Sequence, residues 1–335
     1  MSAAVTRATR TSTIGVAVVV LALAALALGP FWAGRDGMRL LIEVYVYLML
    51  ASLWNLLAGY AGLVSVGQQA FVGLGGYMLF TFAAKLGVPP LLSIPIAGLI
   101  AAVVAIPVAA ITFRLRGAYF AIGSWVVAEV FRLGFSQVSA LGGGSGTSLP
   151  AAIVQGMAAN RSAREHLVYW VALGLMVAIL GLIVLLLRSR YGLALTAMRD
   201  NEVAARSNGI DVQRTKLVVF IFTAACTAMA GSLIFLQKLR ITPDAAFSVN
   251  DWTALVIFIT VIGGIGRFEG PFVGGVVFFL LRETLSDLGS IYLMILGAIA
   301  ILVMLKAPRG IWGFIAERTD AQILPLQRRV RVAGK

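Results

Sequence analysis

Residues 188–216, RSRYGLALTAMRDNEVAARSNGIDVQRTK, separate two long apolar runs, 168–187 and 216–236, and their reading decides the fold. The stretch holds Arg188, Arg190, Arg199, Arg206, Arg214 and Lys216. A basic connector between apolar runs belongs on the cytoplasmic side of a membrane, where Lys and Arg are retained. Positions 193–208 read as one short helix: Ala and Leu dominate, no Pro interrupts, and Gly209 stands where a stop is expected. Glu202 and Arg206, four apart in the favourable order, support that helix from its polar side. Leu195, Met198 and Ala205 fall near one face, although a purely polar loop needs no apolar stripe. Two readings follow: a helix resting on lipid headgroups, or a docking helix that presents this face to a cytoplasmic partner.

The rest of the chain settles the class. Apolar residues make up 60% and charged residues 12%, and the mean hydropathy is +0.95. Such a composition excludes an ordinary soluble domain. The apolar runs are continuous over about 16 to 23 positions and do not alternate, as strands of a closed barrel would. An all-α, polytopic helical bundle of about 8–10 membrane helices is expected. Spans fall near 13–30, 40–58, 70–86, 91–113, 118–136, 168–187, 216–236, 252–264, 271–287 and 291–306. With Arg7 and Arg10 inside, alternation places twice as many of the 27 Lys and Arg on the inner side as on the outer, so both termini are cytoplasmic. The organisation is then an N-terminal segment 1–12, a membrane domain 13–306 with the connector 188–215 inside it, and a basic tail 307–335. The net charge of +13 reflects topology and contact with anionic membrane lipids, with no nucleic-acid partner expected. Run 13–30 is a retained span, since no cleavage site follows it near Gly29 to Trp32. Cys226 is the single cysteine and admits no internal disulfide.

Two glycine-rich stretches interrupt the apolar pattern. The first, NLLAGYAGLVSVGQQ at 55–69, brings Ser65, Gln68 and Gln69 into apolar surroundings, with Gly73, Gly75 and Gly76 beyond. It is either a broken helix beside a translocation path or a turn followed by close glycine-mediated packing. The second, IGGIGRFEGPFVGG at 262–275, breaks a short span at Gly263 and Gly264 and restarts at Pro271. Ser65, Gln68, Gln69, Gly263 and Gly264 are the candidate path residues. Elsewhere, Pro95 and Pro107 should bend the fourth span. Glu129 and Arg132 share a helical face inside a span, either as a functional charge pair or as a neutralising structural pair near the outer surface. Arg282, Glu283 and Asp287 suit an interface, and Asp211 is placed to cap the seventh span. The connection 137–167 reads as a flexible outer loop that holds the lone His166.

No catalytic constellation, metal-ligand set or cofactor site is expected. GGGSGT at 142–147 lacks the Lys-Ser/Thr ending of a phosphate loop, and His166 has no Cys or His companion. Three classes remain: a channel, an ion-coupled secondary transporter, and the membrane subunit of a transporter driven by separate ATPases. The carboxylates Glu43, Glu129 and Glu283 lie near span ends, which disfavours ion coupling, and the connector helix favours the third class.

Four blocks carry a family resemblance: GYAGLVSVGQ at 59–68, LRGAYFAI at 115–122, 192–209 with its RDNE and AA, and GGIGRFEGP at 263–271. In this order, and over about 40–313, they resemble the LivM-type permeases of branched-chain amino-acid ABC importers. The resemblance implies a pore shared with a LivH-type permease, two cytoplasmic ABC ATPase subunits, a periplasmic solute-binding protein and a bacterial inner-membrane location. Residues 202–210 are similar to the Glu-Ala-Ala coupling loop of importer permeases, with Val203 inserted before the Ala pair. Carried onto this chain, the resemblance implies that Leu195, Met198, Arg199, Glu202, Ala204, Ala205 and Gly209 form the ATPase-coupling site.

Overall fold

Apolar runs of this length leave backbone N–H and C=O groups with no water to bond, so the chain satisfies them within helices. In a computed structural model, residues 3–6, 10–285, 289–307, 309–319 and 329–332 are described. The expected Asp287, and part of the tail, lie outside them. The helices in chain order are α1 (Arg10–Ala27), α2 (Gly34–Asn55), α3 (Gln68–Lys85), α4 (Pro90–Thr112), α5 (Ala118–Gln137), α6 (Arg161–Arg188), α7 (Arg190–Asp200), α8 (Glu202–Ser207) and α9 (Val212–Lys238). Then follow α10 (Leu255–Gly263), α11 (Gly270–Leu285), α12 (Ser290–Lys306) and α13 (Gly310–Thr319).

Every expected span is helical over its described residues. Among the described residues, 7 helices are long and apolar enough to cross a membrane. The expected spans 13–30, 70–86 and 271–287 correspond to α1, α3 and α11, which are shorter or less apolar. Run 13–30 is also not one helix: α1 ends at Ala27, and a separate turn, Gly29–Trp32, follows. Pro30 favours the split, because its ring and missing N–H suit a first turn, whereas in a helix interior they cost a hydrogen bond. Pro95 and Pro107 both lie inside α4, which continues past them. Span 252–264 is preceded by one helical turn, Pro243–Ala246, capped by the Thr242 side chain, and by a π-helical turn, Asn250–Ala254.

The connection 137–167 is more ordered than the flexible loop expected. It contains a helical turn, Ala151–Gly156, and an antiparallel pairing of Thr147 with Ile241 and Ser148 with Arg240. His166 belongs to α6, whose start is capped by the Asn160 side chain accepting from Ala163 N at 2.8 Å. A second short pairing joins Ala3–Thr6 to Arg329–Val332 and brings the chain ends together.

Helix α9 is the centre of the bundle, packed along α3 and α4 and touching α2. Its approach to α3 is set by glycine on both sides. A Cβ on Gly75 would stand 2.0 Å from Ala228 O, and one on Gly231 would stand 2.2 Å from Val72 O. With the backbones this close, the Ser232 hydroxyl donates to Gly75 O at 2.8 Å. Small residues at helix crossings gain dispersion contact that larger ones prevent. The turn-and-packing reading of 55–76 therefore describes this conformation: Gly73 and Gly76 also pack, against Phe247 and Phe235.

Candidate functional site: the connector junction

The connector folds by local capping. The Ser189 side chain accepts from Tyr191 N and starts α7. Asn201 is extended, at φ −159° and ψ 109°, and its Oδ1 accepts from Val203 N and Ala204 N, both at 3.0 Å. The single helix expected over 193–208 is thus two helices that meet at Asn201, because an Asn side chain bonded to the next turn's N–H groups favours a cap over a helix interior. Gly209 takes φ +80° and ends α8, a conformation costly for other residues. Asp211 caps α9 by accepting from Arg214 N at 3.0 Å, as its position suggested.

The apolar stripe points inward. Leu195 is buried in the main core, while Met198, Ala205 and Val212 form a small cluster covered by Ala197 and Ile210. Leu195, Met198 and Ala205 are therefore not available to a partner in this conformation, contrary to the expected docking face. The chain's own next segment covers Met198 and Ala205, and the main core covers Leu195. The exposed side carries Arg199, Asp200, Ala204 and Ser207 around Val203, which is 75% exposed.

Glu202 ties the junction to α9. Its carboxylate accepts from Lys216 Nζ at 2.8 Å and from Arg206 Nη2 at 2.9 Å. The Lys216 hydrogen bond holds the carboxyl below the usual glutamate range, with partial burial opposing it. A depressed folded pKa means stability that is present at neutral pH and lost as pH falls through that value. Glu202→Gln should lower the thermal midpoint by about 1–3 °C at neutral pH, a small shift because the group is partly exposed. Unfolding repeated well below about pH 4.3 should show no difference from the parent; an equal deficit at both pH values would contradict the ion-pair assignment.

Beneath the connector, Asn55 at the end of α2 clamps the second glycine-rich break. Its Nδ2 donates to Arg267 O and its Oδ1 accepts from Gly266 N, each at 2.8 Å. A Cβ on Gly59 would lie 2.4 Å from Gly266 N, so only glycine permits this approach. Arg199 Nη1 reaches Gly266 O at 3.5 Å and joins α7 to the same turn. The first break meets α5 in turn: Val66 N donates to Ser124 Oγ at 2.9 Å, and Trp54 Nε1 donates to Ser65 O at 2.8 Å. A cavity of about 650 Å³ opens between Leu63, Phe113, Arg116, Glu202 and Lys216. The four sequence blocks, far apart in the chain, converge at one end of the bundle. Asn55→Leu should strand two polar backbone groups and cost about 2–4 kcal/mol, read as loss of folded protein in a detergent thermal-shift series; a parent-like midpoint would contradict the clamp.

Residues 38–304 match the family described as branched-chain amino acid transport system, permease component. The chain belongs to that family. It is similar to the high-affinity branched-chain amino acid transport system permease protein LivM of Escherichia coli K12, 30% identical over 318 residues, covering 88% of this chain and 73% of that one. The protein of the same name from Salmonella typhimurium is 28% identical over 90% of this chain and 76% of its own length. A probable LivH permease of Methanocaldococcus jannaschii is 30% identical over 40% of this chain and 44% of its own. No solved structure matches. The chain is thus a multi-pass membrane permease subunit.

In this permease the candidate path residues are buried between helices. Gln68 Nε2 donates to Leu50 O at 3.0 Å, and Gln69 Oε1 accepts from the Thr253 hydroxyl. Gln68 Oε1 and Gln69 Nε2 are buried with no hydrogen-bond partner among the described residues. Ser65 is also buried. Gly263 and Gly264 sit where α10 meets α11 and the approach to α13; a Cβ on Gly263 would fall 1.8 Å from Gly270 O. At the opposite end of the bundle, Arg132 pairs with Glu129 at 2.6 Å and with Asp244 at 2.6 Å, so the expected pair has a third member. Among the described residues, no group of three or more His, Cys, Asp or Glu could hold a metal ion. Sequence reading overlooked Asn55 and Ser124; the signal available for Asn55 was a lone amide at the end of an apolar span.

Proposed function

We propose that this permease forms half of the pore of an ATP-driven ABC importer for branched-chain amino acids or a related small amphipathic solute. It pairs with a LivH-type permease in the bacterial inner membrane, receives solute from a periplasmic binding protein and works with two cytoplasmic ATPase subunits, one of which takes this chain's connector in its cleft. Both termini are cytoplasmic in this reading. ATP is hydrolysed on the separate subunits.

One observation carries the reading: the connector is a folded unit with an exposed apolar residue, Val203, on its outer side and a bonded path inward. Arg199 links it to the turn at Gly266, and Glu202 links it to Lys216 on α9. Arg199, Glu202, Ala204 and Gly209 then serve coupling by position, whereas Leu195, Met198 and Ala205 serve by holding the connector's shape. Closure of the ATPase pair around ATP would push α8 and tilt α9 and the α10–α11 turn. Separation of α3 from α10 in the other state would uncover Gln68, Gln69 and Thr253, whose buried orphan groups have something to gain from polar solute or water. Glu43 and Glu129 are each ion-paired, with Arg282 and Arg132, which speaks against proton or sodium coupling by those carboxylates.

The test is purification of the tagged chain from its native membrane and identification of what accompanies it. A second permease and ATPase subunits are expected. Recovery of this chain alone, active in solute uptake, would overturn the reading.

A further inference from the structure

The end of the bundle opposite the connector holds a cavity of about 560 Å³ between the starts of α2 and α6 and the end of α9. Its rim is basic. Arg35, Arg39 and Arg161 all point at one carboxylate, Glu165, at 3.0, 3.2 and 3.2 Å. Arg39 also meets the exposed Asp36 at 3.9 Å, so three guanidinium groups face two carboxylates and positive charge remains in excess. Arg164 and Lys238, also on the rim, make no ion pair with any described residue; Lys238 instead lies over the Trp252 ring at 5.1 Å. The other carboxylate of the lining, Glu43, is already paired with Arg282 at 3.0 Å. Helices α2 and α6 begin here while α9 ends here, so the helix dipoles partly offset and the side-chain cations set the field.

The floor is apolar, formed by Met38, Ile42, Val168 and Ile234, and runs along helices long and apolar enough to cross a membrane. Aromatic side chains mark the boundary. Phe31 and Trp32 on the turn before α2, and Trp170 on α6, are exposed large rings of the kind that settle at headgroup level. Further along α6, Val177, Leu182 and Leu185 are exposed, as on a face turned to hydrocarbon. A cationic rim, an apolar floor and an aromatic margin describe the shape of an anionic amphipath already in the bilayer.

We propose that this cavity binds the headgroup of an anionic phospholipid. The phosphodiester lies among Arg39, Arg161, Arg164 and Lys238, and an acyl chain follows the apolar floor. Guanidinium groups match phosphate oxygens in charge and geometry. A water-borne anion would use the rim but has no need of the floor or the lipid-facing α6. The site depends on the membrane setting of the chain and not on its ATPase partners.

The experiment uses the full-length permease with its co-purifying subunits, reconstituted in vesicles that contain phosphatidylglycerol and phosphatidylcholine, then extracted and weighed by native mass spectrometry. Retained phosphatidylglycerol should exceed phosphatidylcholine, and Arg164→Gln with Lys238→Gln should cut that preference by at least about 5-fold. Neither substitution disturbs the Glu165 cluster. Lys85→Gln, which removes an exposed cation at the same end, should leave the preference unchanged. Equal retention of the two lipids, or an unchanged preference in the double variant, would overturn the proposal. So would a delipidated protein that binds inorganic phosphate at the same residues while showing no lipid preference, since that result assigns the rim to a free anion.

Discussion

Val203→Asp should cut ATP-driven uptake more than about 10-fold while the permease still inserts and folds. Val203 is the second residue of α8 and 75% exposed, so the substitution buries nothing within this chain. An acidic side chain in a first helical turn is favourable to the helix dipole, and the Asn201 cap is untouched. A partner's apolar cleft would respond differently. It would lose about 1.5–3 kcal/mol of apolar burial and meet a charge that burial leaves unpaired. Uptake should fall more than about 10-fold, with membrane abundance and thermal midpoint unchanged, and Val203→Leu should retain most activity. Normal ATP-driven uptake by the Asp variant would remove the exposed face of α8 from the coupling site.

Gly231→Leu is expected to prevent the bundle from forming. The atom a Cβ would meet, Val72 O at 2.2 Å, is backbone, and the reciprocal contact of Gly75 with Ala228 O is equally close. No rotamer change relieves either contact, so α3 and α9 must separate. Separation would also break the bond from Ser232 to Gly75 O and loosen the core around α9. Overpacking costs about 1–3 kcal/mol where side chains can adjust, and more where they cannot. Folded protein recovered from membranes should drop about 10-fold or more by size-exclusion of a fluorescent fusion. Gly174→Leu on α6, where nothing lies within 4 Å, should be recovered at parental levels. Parent-like recovery of Gly231→Leu would contradict the crossing.

These contrasts show what a linear reading captures. Apolar runs locate the helices because a membrane helix closes its own hydrogen bonds, and that constraint acts locally. The Asp211 cap, the Gly209 stop and the Glu202–Arg206 pair are local too, and each is present. The direction of the connector's stripe is not local. Period shows that Leu195, Met198 and Ala205 share a side, but not that Leu195 enters the main core while Ile210 and Val212, beyond the Gly209 turn, fold back over Met198 and Ala205. Asn201 reads as helix interior because the composition around it outweighs one capping side chain, yet it caps α8. The Asn55 clamp joins residues more than two hundred positions apart through backbone atoms, and no side-chain pattern announces that contact. For the candidate path, sequence reading picked out Gln68 and Gln69 as unusual, and their partial satisfaction in the bundle gives that choice a physical basis.

Labelled leucine uptake into vesicles, measured on the permease with its co-purified subunits, addresses the importer assignment most directly. Uptake should require ATP on the connector side, require the binding protein on the other, and persist when ion gradients are collapsed. Uptake driven by an ion gradient through this chain alone, with ATP absent, would contradict it.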